Sequence, residues 1–515
     1  MHSVTLPLDQ VAVRLHPADD VAIAKADLAA GTVVLLDEAR ATLWQPIPSG
    51  HKLALRAIAQ GAPVRRYGQV IGVARRPIAP GEHVHTHNLG LDDAGREAAV
   101  AAHVPPVDLV PEAERRTFMG YARPDGRAGT RNLVAVIATV NCAAHVVQAI
   151  AHHFTPQRLA PYVHVDGVVP FTHAFGCALP ADGRDYAVLQ RTLAGVACHP
   201  NVGAALLVGL GCEVNQVSDQ ARGCGLCAMP MDRPGLVIQD QGGIQATVQA
   251  GIEAVAALLP QVDAARRTPQ PLSRLTVALQ CGGSDGWSGV TANPAVGLVS
   301  DALVRQGGTV VLGETPEITG AEHLLAARAA TPEVARQLLA QVRWWEAYAR
   351  RMGIQLDDNR SVGNAAGGLT TIYEKSLGAV AKAGSTPLVA VYDYAEAVAA
   401  RGVTFMNTPG YDPVSVTGQV AGGCTLVLFT TGRGSVFGFK LAPSIKISTT
   451  TALYERMRGD IDVDAGRVLA GARLEDVAAE VFDLALAVAS GRPSKSEAQG
   501  VGEAEFVPWQ TVGTL

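Results

Sequence analysis

Five apolar, β-branched stretches of this chain stop abruptly beside polar residues. NLVAVIATV ends at Asn141-Cys142, and VDGVVPF ends at Thr172-His173 and Gly176-Cys177. AALLVGLG ends at Cys212-Glu213-Val214-Asn215-Gln216, LTVALQ at Cys281-Gly282-Gly283-Ser284-Asp285, and LVLFTTG at Arg433-Gly434-Ser435. Runs without polar alternation are the mark of strands buried on both faces, as in parallel sheets. In open α/β sheets, ligands bind beyond the carboxyl ends of the strands. The pattern therefore predicts thiols, a carboxylate, a histidine, an arginine and glycine-rich loops gathered on one edge.

Between these strands lie helical patterns. Helices are predicted over Ala143–Phe154, Ile244–Leu259, Ala321–Met352 with a break near Pro332, and Leu474–Ser490. Strands alternating with helices from Thr117 onward predict βαβ units. Residues 1–90 differ: short strands between Gly and Pro turns predict a small β-rich module. Residues 91–116 hold prolines and alanines without a clear period and read as a linker. A composition shift at 263–271 divides the large region into two α/β halves, 117–265 and 266–515. The residues after Gly491 read as a tail that returns to the body.

Composition narrows the class. The 515 residues exceed one ordinary domain, and 48% hydrophobic content supplies ample core. Lys plus Arg is 42 against 47 Asp plus Glu, a net charge of −5, which gives no reason to expect nucleic acid. The start carries no signal-peptide pattern, and no run reaches the ~20 apolar residues of a membrane span. A soluble cytoplasmic protein is expected, binding a small molecule and assembling as a homo-oligomer. Eight cysteines are too few for a disulfide framework and read as free thiols.

Several residues are candidates for chemistry. Gly50-His51-Lys52 follows a turn, and His85-x-His87 closes the module. On a strand, residues i and i+2 share a face, so both imidazoles would meet one ligand. His173 reads as a base or a ligand, or as a satisfied buried histidine. Glu213 ends an apolar strand, where an unpaired carboxylate is costly. Cys224-x-x-Cys227 has the spacing of a redox pair or zinc half-site, but no second pair accompanies it. The loops at Gly282–Gly286 and Gly363–Gly368 offer backbone N–H groups to an anion. Glu314 and Glu317 follow the strand TVVLG. Arg433, Lys440 and Lys446 could clamp a carboxylate. A plainer reading holds for each taken singly: exposed histidines, small buried thiols, tight turns and ordinary surface charge.

These motifs together resemble the altronate/galactarate dehydratase family over nearly the whole chain. GHKLALRAI and YGQVIGVA resemble its N-terminal SAF module of β-clip type. GYARPDGRAGTRN, TVNC, DGVVPFTHAFGC, GLGCEVNQ, CGGSDGWSGVTANPAVG, GNAAGGLTTIYEKSLGAVAKAG and TTGRGSVFG resemble its catalytic region. His85-Thr86-His87-Asn88 is closer to the altronate branch. One departure stands at Arg360–Gly368, where RSVGNAAGG replaces an expected PSPGNKAGG and a lysine is missing.

The resemblance implies loss of water from a sugar acid, altronate first, to give a 2-keto-3-deoxy acid. A base must take the weakly acidic C2 proton while the enediolate charge is stabilised, and an acid must assist the leaving C3 hydroxyl. The resemblance implies iron(II), replaceable by manganese, for this charge. On this reading His51, Lys52, His173 and Glu213 are catalytic. Asn141, Asn215, Ser284, Asp285, Asn364, Arg433 and Lys446 bind substrate. His85, His87, Cys142, Cys177, Cys212 and Cys281 are the metal-ligand candidates, either imidazoles around one iron or thiols around an iron–sulfur cluster. Three alternatives remain open: another aldonate or aldarate dehydratase, a sulfolactate sulfo-lyase-like enzyme, and a non-catalytic sugar-acid binder. Fusion of the small and large regions weighs against the sulfo-lyase.

Overall fold

A computed structural model describes residues 5–36, 39–91, 100–101, 104, 106–223 and 235–511. Cys224-x-x-Cys227 and most of the expected linker between 92 and 105 lie outside these residues.

The N-terminal module contains a four-stranded antiparallel sheet of β1 (Ala12–Val13), β2 (Val21–Ala24), β3 (Lys52–Ala54) and β4 (His83–Val84), in that order. Leu28, Val34, Leu43, Ile47 and Leu53 form its own small core. The module's other apolar face, with Ile58, Ile71, Ile78 and Val84, belongs to the same cluster as Leu279, Val296 and Leu428 of the large region. The module is therefore welded to the body through a shared core.

The next region opens with β5 (Thr117–Ala122) and continues into β6 (Leu133–Ala138), β7 (Gly167–Phe171), β8 (Val202–Gly209) and β9 (Leu236–Val237). The last four form a parallel sheet in the order β7-β6-β8-β9. Helices α1 (Ala144–His153), α2 (Arg184–Ala197) and α3 (Ile244–Asp263) cover its faces. Val134 and Val136 pack toward α1 and α3, while Ala135 and Ile137 face α2. Burial on both sides explains why β6 reads as an unbroken apolar run. The stretch at 263–271 holds a strand, β10 (Arg267–Pro271), which pairs antiparallel with β5.

The last region is built on seven parallel strands. In chain order they are β11 (Thr276–Cys281), β12 (Thr309–Leu312), β13 (Leu388–Tyr392), β14 (Gly402–Met406), β15 (Leu426–Thr431), β16 (Ser444–Ser448) and β17 (Val463–Asp464). Their order across the sheet is β13-β14-β12-β11-β15-β16-β17. Flanking helices include α4 (Ala292–Arg305), α5 (Pro332–Met352), α6 (Val362–Ala366), α7 (Ile372–Val380), α8 (Asp412–Ala421) and α9 (Leu474–Ala489). Pro332 opens α5 at its first turn, with the Thr331 side chain accepting from Val334 N, so the expected break falls there.

The two sheets back onto each other through α2 and α8. A Cβ on Gly195 would stand 2.2 Å from Ala421 O, so only glycine permits the helices this approach. The carboxyl-end loops consequently form two groups, one per sheet, where the strand pattern alone suggested one. The tail returns to the body, and Trp509 stacks on Trp345 with ring centroids 5.3 Å apart. Among the described residues no helix is long and apolar enough to cross a membrane.

Candidate active site

Gly50 turns the chain into β3 with φ +81°, and a Cβ there would crowd Trp287 Nε1 at 3.2 Å. This turn places His51 at the seam between the module and the body. His51 Nδ1 lies 3.0 Å from His83 Nε2, and His51 Nε2 lies 3.2 Å from Ala366 O in α6. His85 completes a triad: its ring centroid is 4.9 Å from His51 and 5.4 Å from His83. One ring nitrogen from each of the three lies within 4.8 Å of the others. His83 and His85 are the i, i+2 pair, because β4 covers His83–Val84 and the chain turns after His85. The expected pair His85 and His87 is thereby corrected. His87 sits exposed on the turn, its ring 5.6 Å from that of His83.

Burial first, then the charges of His51 and its other neighbours, pushes His83 down to about 3. Burial, then Lys52, pushes His85 down to about 4, and burial also lowers His51. All three are neutral at pH 7, the state in which imidazole ligates metals. His85 Nδ1 is buried without a hydrogen-bond partner. Neutral, converging nitrogens with one orphan fit a divalent transition metal such as iron(II).

Behind the triad is a dry ion network. Lys52, expected as a catalytic group, is fully buried: Nζ lies 3.0 Å from Glu374 Oε1, 3.0 Å from Oε2 and 2.6 Å from Gly368 O. Arg66 Nη1 meets the same carboxylate at 2.5 Å and Nη2 meets Gly286 O at 2.5 Å. Thr370 N and Oγ1 donate to Glu374 at 2.8 and 2.7 Å. Burial raises Glu374, but Lys52, Arg66 and these donors outweigh it and hold it down to about 2. Burial, aided by Arg66, lowers Lys52 to about 8. Two cations on one anion leave positive charge behind the imidazoles, which favours an anionic ligand in front.

The loop after β11 forms the body's side of the seam. A Cβ on Gly286 would lie 2.1 Å from Gly50 O, so the two backbones touch. Asp285 is buried and accepts from Ser288 Oγ and Thr449 Oγ1, both at 3.0 Å; burial raises it and these bonds oppose that. Asn364, the third residue of α6, accepts from Ser361 N in the helix's capping box and donates to Ser284 O at 2.7 Å. Asp285 and Asn364 thus shape the loop. Arg433 is exposed above it, its side chain lying against the Cβ positions of Gly283 and Gly367. Its guanidinium makes no ion pair among the described residues.

The other sheet carries a different group. Cys142, Cys177 and Cys212 are all exposed at its carboxyl edge. Their loops are tied by Asn141 N to Phe175 O at 2.9 Å, Asn215 N to Gly176 O at 3.1 Å and Val214 N to Cys177 O at 3.3 Å. Two expected catalytic residues have structural work here. His173 uses both ring nitrogens on backbone, Nε2 to Ala138 O at 2.9 Å and Nδ1 from Phe175 N at 3.1 Å. Glu213 accepts from Thr139 Oγ1, Leu210 N and Gly211 N at 2.9, 3.1 and 2.6 Å. The side-chain N–H groups of Asn141 and Asn215 donate to His173 O and Thr139 O at 3.0 and 2.9 Å, while Asn215 Oδ1 is buried without a hydrogen-bond partner. Lys446, expected to bind substrate, lies inside β16 with Nζ on Phe437 O at 2.8 Å and Ser496 Oγ at 2.5 Å.

Cys281 does not join the other thiols. It is buried at the end of β11, 2.8 Å from Lys382 Nζ, with Glu317 and Glu314 at 3.5 and 3.8 Å. Sequence reasoning had noted both glutamates but missed His83, Arg66, Glu374 and Lys382. His83 was visible within the same short histidine-rich segment, two residues before His85. The partners supplied by α7 carried no local signal.

Comparison with known proteins assigns this architecture. Family models match three consecutive spans: the altronate/galactarate dehydratase SAF domain over residues 10–92, the second domain of D-galactarate dehydratase/altronate hydrolase over 120–263, and the C-terminal region of D-galactarate/altronate dehydratase over 272–514. Altronate dehydratase of Escherichia coli (strain K12) is 37% identical over 487 residues, 94% of this chain and 96% of that protein. The chain belongs to the galactarate/altronate dehydratase family. It is a lyase, a hydro-lyase of that family. Galactarate dehydratase (L-threo-forming) of E. coli is 37% identical over 490 residues, 93% of each chain. The (2R)-sulfolactate sulfo-lyase subunit beta of Chromohalobacter salexigens is 33% identical over 400 residues, 77% of this chain and 98% of that subunit.

Proposed function

We propose that this enzyme dehydrates altronate, or a closely related aldonate, to a 2-keto-3-deoxy acid at the seam between the SAF module and the seven-stranded sheet. The observation that carries the reading is the end-to-end likeness to an altronate dehydratase, 37% over 96% of that protein. The location is supported by the imidazole triad facing the Gly282–Gly286 loop. His51, His83 and His85 would hold the metal, which when bound supplies a Lewis acid for the carboxylate and C2 hydroxyl of the substrate. Arg433 pairs with the substrate carboxylate in two parallel hydrogen bonds. The positive charge of Lys52 and Arg66 draws the anion into the seam.

His87 moves the proton. Its exposed imidazole is neutral at pH 7, because burial and Arg76 lower it more than Glu82 raises it. One nitrogen takes the C2 proton and returns it to the departing C3 oxygen, so the products are the enol of the keto acid and one water. His87→Gln should lower kcat by about a hundredfold or more, with KM and bound metal little changed. Loss of metal together with activity would assign His87 to ligation instead.

A second cofactor reading rests on Cys142, Cys177 and Cys212, free and exposed on loops tied to one another at one sheet edge, which would supply the three thiolates of an iron–sulfur cluster with one open iron. Cys281 is outside that set. The decisive experiment is an anaerobic assay for 2-keto acid with iron(II) and altronate, galactarate or sulfolactate. Electron paramagnetic resonance of the same sample separates mononuclear iron from a cluster. Turnover of sulfolactate, or of no sugar acid, overturns the proposal.

A further inference from the structure

We infer that Cys281, Glu314 and Glu317 form a second, closed divalent-cation site at the carboxyl edge of the seven-stranded sheet, separate from the three imidazoles. The site lies at the ends of two neighbouring strands. Cys281 ends β11, while Glu314 and Glu317 follow the neighbouring strand β12 on a short 3-10 turn. One ligand atom from each lies within 4.8 Å of the others, and all three residues are at most 3% exposed.

Two observations set this cluster apart from an ordinary buried ion network. Glu314 has φ +64° and ψ +60°, a left-handed backbone that a glutamate adopts only when its surroundings force it. Its N–H donates to Thr408 Oγ1 at 2.7 Å, which fixes that conformation. Second, Glu314 Oε1 is buried with no hydrogen-bond partner, whereas Oε2 has Lys382 at 3.2 Å. An orphaned carboxylate oxygen in a buried site is costly to leave without a partner. A cation on Oε1 would satisfy that oxygen.

Charge supports the same reading. Lys375 pairs with Glu317 at 2.8 Å and Lys382 with Glu314 at 3.2 Å. Asp412, at the start of α8, is a third carboxylate beside them, felt by Glu314 as a like charge. A bound metal ionises a coordinating thiol. Without a cation, burial pushes Glu314 up to about 8 and Asp412 up to about 7; with the thiol and all three carboxylates ionised against Lys375 and Lys382, the cluster would hold two surplus negative charges, which one divalent cation neutralises. Sulfur among oxygens selects iron(II), zinc or cobalt(II) over magnesium or calcium.

The consequence reaches the candidate active site. A Cβ on Gly282 would lie 2.5 Å from Asp412 Oδ2, and one on Gly286 would lie 2.1 Å from Gly50 O. One five-residue loop thus has the acidic cluster at one end and the SAF module at the other. A cation under Cys281 would pin that loop.

The test uses full-length apoprotein titrated anaerobically with cobalt(II). Thiolate–cobalt bonds give an intense charge-transfer absorption that imidazole and carboxylate complexes lack. The band should appear in the wild type and survive both His83→Ala and the Cys142→Ser/Cys177→Ser/Cys212→Ser variant. It should vanish in Cys281→Ser, which keeps the imidazole-bound cobalt. Glu314→Gln, which spares the thiol, should weaken the band-forming site by more than about tenfold. Absence of the band in the wild type, its loss in the triple thiol variant, or unchanged affinity in Glu314→Gln overturns the site. If Cys281→Ser fails to fold, the wild-type, triple-variant and Glu314→Gln titrations still decide. Loss of cobalt in His83→Ala bears only on the proposed active site.

Discussion

At the scale of single residues, protonation separates ligands from ion-pair partners. His83 and His85, with proton affinities pushed down to about 3 and about 4, stay open to a metal throughout the neutral range. His83→Ala and His85→Ala should each weaken iron(II) binding more than about tenfold, with the melting temperature nearly unchanged; plasma mass spectrometry on dialysed protein reads this. Full retention of iron in both would remove the triad from the site. Glu374 behaves oppositely. Its proton affinity falls from 4.5 to about 2 on folding, so its stabilising contribution is complete above pH 4.5 and is lost as pH drops toward 2. Glu374→Gln leaves Lys52 and Arg66 buried against a neutral amide and should cost about 3–5 kcal/mol at pH 7. Urea melts from pH 5 down to pH 2.5 should show a shallower acid-side loss in Glu374→Gln than in the wild type.

Elements decide how these residues meet. The Gly50 turn, the Gly282–Gly286 loop and the Gly367-Gly368 turn after α6 touch backbone to backbone, and no side chain fits between them. Gly286→Ala should therefore push the module off its seat, costing about 1–3 kcal/mol and most of the activity. Activity and stability both unchanged would mean that the seam is looser than its contacts. The same contacts explain which parts of the site were legible in the sequence. Strand ends were visible because continuous apolar runs stop where burial stops, and Pro332 marked the break in the helical pattern over Ala321–Met352. The partners of Lys52 were not visible, because Glu374 lies 322 residues away and helical spacing says nothing about which helix packs on which strand. Pairing His85 with His87 requires the strand to continue through the segment. It stops at Val84, and the turn after it reverses which imidazoles share a face.

At the scale of the whole molecule, the SAF module is part of the body's core, since Ile58, Ile71 and Val84 cluster with Leu279 and Leu428. A chain lacking residues 1–116 should expose that surface, bind hydrophobic dye, and give no keto acid with any metal supplied; normal turnover would remove the module from catalysis. By itself the sequence determined the class of fold, the βαβ alternation, the special N-terminal module and the family, because these rest on local periodicity and on long ordered motifs. Tertiary structure alone decided that the strand ends form two groups, that Cys281 parts from Cys142, Cys177 and Cys212, and that Lys52, His173, Glu213 and Lys446 find hydrogen-bond partners within the protein. Each of those outcomes depends on desolvation and on partners distant in sequence. A charged or polar group looks the same in a sequence whether its hydrogen bonds end on substrate or on the protein's own backbone.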